Sequence, residues 1–255
     1  MKFFKKIKSD KLLKDNKSFK LLTQKTISIY SFVGGVGRTS IAIHLAHYFS
    51  NYKTLLIDLN FIQGDSDLSL YLKLKKLPHL SNFLIEDNPE KSFSNTIVKP
   101  DNYKFDVIQA PPSIRQSDNI KIKTIDNLID IARDKYGLII VDLPYSYSNL
   151  VMHVLNKSTD VIMVTNDNLG SISRLKEIGF FVFEKPKIIY VYNKYEKHVS
   201  LYKPKEIEGY LVEDINVIGY DDKLKYRMSK NIINTDVSTT FGEGIINLVH
   251  NSIIK

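Results

Sequence analysis

Residues 31 to 40 read Ser31-Phe32-Val33-Gly34-Gly35-Val36-Gly37-Arg38-Thr39-Ser40, a glycine turn between two segments of different period. Before it, Thr26 to Val33 is a β-branched and aromatic run with strand character. After it, Ile41-Ala42-Ile43-His44-Leu45-Ala46 begins a helical period. A strand, a glycine turn and a helix in that order aim the backbone N–H groups of Gly35 to Ser40 and the positive end of a helix dipole at one anion-sized space. Thr39 then stands where its hydroxyl reaches a Mg²⁺ ion. The phosphate-loop pattern, with four free positions between its glycines, asks for Gly at 32 and Lys at 38, whereas this chain has Phe32 and Arg38. From these residues alone a dinucleotide-binding turn and a plain tight turn stay open.

Outward from the loop, aliphatic strand patterns alternate with helical ones. The strands are expected at Thr26 to Val33, Lys53 to Leu59, Phe105 to Gln109, Gly137 to Leu143, Asp160 to Thr165, Lys187 to Tyr192 and Asn216 to Tyr220. Helical patterns fall at Arg38 to Ser50, Lys123 to Lys135, Leu169 to Phe183, Lys203 to Leu211 and Glu243 to Ile254. Near-continuous apolar strands separated by helices predict a single α/β domain, a mainly parallel sheet of about seven strands with helices on both faces. In such a sheet ligands bind beyond the carboxyl ends of the strands, where the glycine turn sits. Two strands end there in carboxylates, Leu55-Leu56-Ile57-Asp58 and Leu138-Ile139-Ile140-Val141-Asp142. An acid after four aliphatics is costly unless a cation offsets it, so Asp58 and Asp142 join Thr39 as candidate metal residues.

Composition narrows the class. The chain has 255 residues, 43% of them hydrophobic, enough for one buried core. It contains no run of 18 apolar residues and no cysteine, which excludes a membrane-spanning helix, a thiolate metal site and a disulfide framework, and fits a cytoplasmic protein. The net charge of +8 is uneven: residues 1 to 25 carry nine lysines against Asp10 and Asp15, leaving 27 basic and 26 acidic residues in the rest. Basicity therefore belongs to a segment, 1 to 25, expected to be a solvated basic tail or an amphipathic helix lying on anionic membrane at the inner face. Residues 26 to 255 form the domain. Its near-neutral charge argues against DNA as a partner.

Gly34-Gly35-Val36-Gly37, Ile57-Asp58-Leu59-Asn60 and Val141-Asp142-Leu143-Pro144 together resemble the MinD/ParA family of dimerising P-loop ATPases, from about Thr26 to the C-terminus. Within it the chain is most similar to the CpaE/TadZ branch of pilus and secretion-system assembly factors. That likeness rests on Asp58-Leu59-Asn60 with Gly64-Asp65 and Leu68-Ser69-Leu70-Tyr71-Leu72, on Gln109-Ala110-Pro111, and on Val191-Tyr192-Asn193-Lys194-Tyr195 and Ile218-Gly219-Tyr220-Asp221. The resemblance implies a P-loop NTPase fold that binds ATP or ADP with Mg²⁺. Gly34, Gly35, Val36, Gly37, Arg38, Thr39 and Ser40 would hold the phosphates, Thr39 the metal, Asp58 and Asp142 its waters, and Asn193 the adenine. It also implies a nucleotide-dependent homodimer and pilus or secretion-system components as partners.

Four positions depart from that family. Val33 occupies the place of a signature lysine that reaches the partner's phosphates across the dimer, and Arg38 replaces the loop lysine, exchanging a compact ammonium for a planar fork. Asn60 stands at the switch carboxylate; an amide orients water but takes no proton. Ser146 replaces a switch glycine. Phosphoryl transfer depends on positioned charge, so the expectation is an ATP- or ADP-binding localisation or assembly factor of a pilus, type II/IV secretion or conjugation machine, at most a slow ATPase. The alternatives are a ParA-like partition ATPase with nonspecific DNA binding, and a Rossmann-type NAD(P)-dependent oxidoreductase with Asp58 on a ribose hydroxyl. Ser40 at the third fingerprint glycine and the strand ending in Asp142-Leu143-Pro144 count against the latter.

Overall fold

Aliphatic strands without polar alternation need cover on both faces, and the computed structural model, which describes residues 23–60, 66–84, 88–113, 120–182 and 186–254, provides it. Seven strands, Lys25–Tyr30 (β1), Thr54–Asp58 (β2), Asp106–Ile108 (β3), Leu138–Asp142 (β4), Asp160–Thr165 (β5), Lys187–Tyr195 (β6) and Ile215–Gly219 (β7), form one sheet in the order β3-β2-β4-β1-β5-β6-β7. Every pairing within it is parallel.

Strand alternation divides the core. Ile27, Ile29, Leu56, Leu138 and Ile140 face helix Arg38–Tyr48 (α1) and the C-terminal helix, which contributes Phe241, Ile245 and Leu248. On the opposite face Leu55, Ile57, Ile139 and Val141 meet helix Ile122–Lys135 (α2) through Ile125, Leu128 and Ile129, and helix Asn149–Lys157 (α3) through Val151, Val154 and Leu155. Helix α1 buries Arg38 and His44 as well as its aliphatic residues, because the sheet and the C-terminal helix enclose it.

The sheet order creates the site. From β1 the chain passes β4 to reach β2 with helix α1 on one face, and from β4 it passes β1 to reach β5 with helix α3 on the other, so the neighbours β1 and β4 send their connections to opposite faces. A crevice opens at such a point beyond the strands' carboxyl ends, and the loop after β1 lies in it.

Several expectations change in detail: β1 ends at Tyr30 rather than Val33, and the last helix is α-helical over Thr240–Leu248 and continues as a π turn at Val249–Ile253. Strand β6 runs to Tyr195 rather than Tyr192, with a register shift between Tyr192 and Tyr195. The helix expected over Leu169 to Phe183 is broken into Leu169–Ser173, a 3₁₀ turn at Leu175–Glu177 and Ile178–Phe181. Gly170 and Gly179 fall inside that pattern, and each weakens a helix by about 1 kcal/mol relative to alanine. The basic segment lies, up to residue 22, outside the described residues, as do Gly64 and Asp65. Among the described residues no helix is long and apolar enough to cross a membrane.

Candidate functional site

The loop after β1 turns on two glycines with positive φ, Gly35 at 73° and Gly37 at 95°. Gly37 caps α1, and its carbonyl accepts from Ile41 N–H at 3.1 Å. Asn193, on β6 and 1% exposed, holds this turn: its Nδ2 donates to the Val36 carbonyl at 2.7 Å, and its Oδ1 accepts from Lys194 N–H at 2.9 Å. A Cβ at Gly37 would come within 2.4 Å of that same Nδ2. The residue that the resemblance assigns to the adenine thus has both ends of its amide engaged with backbone, one of them the loop itself.

Asp58 and Asp142 are direct register partners of β2 and β4, both buried at the carboxyl edge of the sheet. Thr39 Oγ1 donates to Asp142 Oδ2 at 2.6 Å. Asp58 accepts from Asn60 N–H at 2.9 Å and from the Ser66 hydroxyl. Burial pushes both carboxyls above the usual range, and the Asp142 charge pushes Asp58 further; Arg38 and the Thr39 hydroxyl pull Asp142 back. Two buried acids with one nearby guanidinium form an arrangement that a divalent cation would relieve.

Arg38 is only 8% exposed. Its guanidinium carbon lies 5.5 Å from the centre of the Tyr145 ring, and its Nη1 is buried without a hydrogen-bond partner among the described residues. Burial lowers its pKa while Asp142 opposes that shift. The Asn60 side-chain oxygen is likewise buried without a partner. Both residues line a cavity of about 240 Å³ with Gly34, Thr39, Tyr145 and Lys194. An unsatisfied guanidinium N–H and the N–H groups at the start of helix α1 suit phosphate oxygens, so the residues present fit a Mg²⁺-bound nucleotide.

The remaining departures have structural explanations. Phe32, 4% exposed, sits in an aromatic cluster, with ring centres 5.3 Å from Tyr30, 5.7 Å from Tyr147 and 5.8 Å from Phe181. Val33 is partly buried and packs against the α1 face of the core, where it offers no charge. Ser146 Oγ accepts from Ser148 N–H at 3.1 Å, and the Ser146 carbonyl accepts from the Tyr30 hydroxyl at 3.3 Å. His44 is buried against Phe241, and its Nδ1 donates to the Ser40 carbonyl at 2.8 Å, so it packs the helix. The Gln109 amide ties the segment that carries Asp67 and Tyr71 to the site: Nε2 donates to the Lys75 and Pro78 carbonyls, both at 2.7 Å, and Oε1 accepts from Ser69 at 2.9 Å. Asp67, Tyr71, Lys194 and Lys225 also line the cavity; Tyr71 and Lys194 lie in stretches that carry the resemblance, which gives them no role in the site.

Residues 24–182 match the family described as AAA domain. The chain belongs to that family. Its fold is also that of two solved structures. A ParA family ATPase from Chlorobium tepidum TLS is 22% identical with a TM-score of 0.76, the match covering 90% of this chain and 99% of the other. MinD from Pyrococcus horikoshii OT3, solved with Mg-ADP, is 17% identical with a TM-score of 0.77, over 90% and 96% of the two chains. A protein of Sinorhizobium fredii named "Putative replication protein A" is 25% identical over 162 residues, which are 56% of this chain. This chain spans 40% of the length of that curated relative.

Proposed function

We propose that the AAA domain binds ATP or ADP with Mg²⁺ and works as a nucleotide-controlled positioning protein with little or no turnover. The observation that carries this reading is the Thr39–Asp142 hydrogen bond at 2.6 Å, because a loop hydroxyl beside a strand-end carboxylate is a pair that supports binding of a phosphate-bound metal. Gly34 to Ser40 hold the phosphates, Thr39 coordinates the metal, and Asp58 and Asp142 orient its waters. Bound Mg²⁺ neutralises phosphate charge; the chain supplies the cradle and the one loop cation, Arg38. Asn60 orients a water through its free oxygen but takes no proton from it, which supports slow hydrolysis or none. Nucleotide then acts by setting a surface, in keeping with a homodimer whose formation it controls.

Two cargoes fit that device. The CpaE/TadZ-like motifs support a pilus, secretion or conjugation machine, with residues 1 to 25 on an anionic membrane. The similarity in fold to a ParA family ATPase supports the alternative of a partition role. Titration of the full chain with ATP, ADP and NADH, with and without Mg²⁺, followed by phosphate release, tests the site. No binding of ATP or ADP at millimolar concentration refutes the nucleotide reading, and many turnovers per minute refute the slow one. Salt-sensitive DNA binding in the ATP state selects the partition role, and its absence at low salt removes that role.

A further inference from the structure

A polyphosphate brings several negative charges to a loop whose own cation, Arg38, already lies in the field of Asp142. A second cation faces the loop from a distant strand. Lys194 follows the strut residue Asn193 on β6, where the register shift gives it a φ of 61°, and its Nζ donates to the Gly35 carbonyl at 2.6 Å. It borders the same cavity that Arg38 lines, and the buried Nη1 of Arg38 has no partner among the described residues. An ammonium has three donors, and the carbonyl takes one. The other two are left for an oxygen acceptor at the cavity mouth, and a phosphate oxygen is a stronger acceptor than water or a neutral carbonyl because it is charged.

We propose that Lys194 is a phosphate-binding residue of this site, supplying from within the chain a cation that the loop sequence lacks at Val33. The proposal rests on the nucleotide reading above. The Gly35 carbonyl docks the ammonium over the loop, and a nucleoside di- or triphosphate takes the free donors when it enters.

The experiment measures ATP and ADP affinity of the full chain at low and high salt for wild type and for Lys194→Gln, Lys194→Asn and Lys194→Arg, with thermal melts of each. Glutamine keeps an N–H for the Gly35 carbonyl and loses the charge; asparagine tolerates the positive φ, so the fold is kept in at least one neutral variant. Expected are a roughly tenfold loss of ATP affinity in both neutral variants with a shallower salt dependence, and recovery in Lys194→Arg. Wild-type affinity and salt dependence in Lys194→Gln would overturn the proposal, reducing Lys194 to a prop of the loop. Failure of the wild type itself to bind ATP and ADP would instead overturn the nucleotide reading on which it stands.

Discussion

The side-chain amide of Asn193 holds the carbonyl of Val36 at 2.7 Å across 157 residues of sequence, so the phosphate loop is braced from the far side of the sheet. Asn193→Ala leaves that carbonyl buried without a partner and is expected to lower stability by about 1–3 kcal/mol while weakening nucleotide binding. Gly37→Ala attacks the same joint from the other side, with a φ of 95° and a contact of 2.4 Å to the Asn193 amide. Chemical denaturation and nucleotide titration check both; an unchanged denaturation midpoint in Asn193→Ala refutes the brace.

Restoring the loop's motif glycine is expected to harm the protein. Phe32 fills an aromatic cluster with Tyr30, Tyr147 and Phe181, and truncating a buried phenylalanine costs about 3–5 kcal/mol. Phe32→Gly should therefore lower the melting temperature by many degrees, whatever it does to phosphate binding. A melt close to wild type would show that the cluster contributes little.

Ionising Asp58 is costly in the folded protein, because burial and then the charge of Asp142 raise its pKa to about 7. A raised carboxyl pKa means that this group's contribution to stability is greatest at acid pH and is lost as pH rises through the folded value. Asp58→Asn removes that loss and should melt higher than wild type at pH 8 without Mg²⁺ or nucleotide. The same variant should bind Mg²⁺-nucleotide more weakly than wild type. A lower metal-free melt at pH 8 contradicts the electrostatic account.

His44 has the opposite sign. Burial depresses its pKa from 6.5 to about 4, so its contribution is complete above pH 6.5 and is lost as pH falls toward about 4. That shift corresponds to about 3 kcal/mol. His44→Gln keeps a donor for the Ser40 carbonyl and does not titrate. The stability difference between wild type and this variant should shift against wild type by about that amount between pH 7.5 and pH 4, a comparison from which the Asp58 effect cancels. Parallel pH curves for the two proteins would contradict it.

The sheet was legible because its strands are aliphatic on both faces, a pattern that needs no knowledge of partners. Asp58 and Asp142 were legible for the same reason, each ending such a strand, and the structure makes them register neighbours. Side-chain destinations were not legible. Asn193 marks a strand end in sequence, but only the crossover order shows that its amide meets Val36. Lys194 lies in a stretch that carries the resemblance, yet its role is visible only where the register shift in β6 brings its ammonium to the Gly35 carbonyl. Helix Asn149–Lys157 went unread although Ser148 caps it.

The braces of the loop also set an order of events during synthesis. Thr39 meets its carboxylate 103 residues later and Val36 its amide 157 residues later. A growing chain that has released β1 and α1 from the ribosome carries the glycines but neither support. The loop is braced only once β6 has emerged and docked beside β5, so a chain that has released β1 and α1 alone holds the glycines of a nucleotide cradle without the contacts that fix their shape.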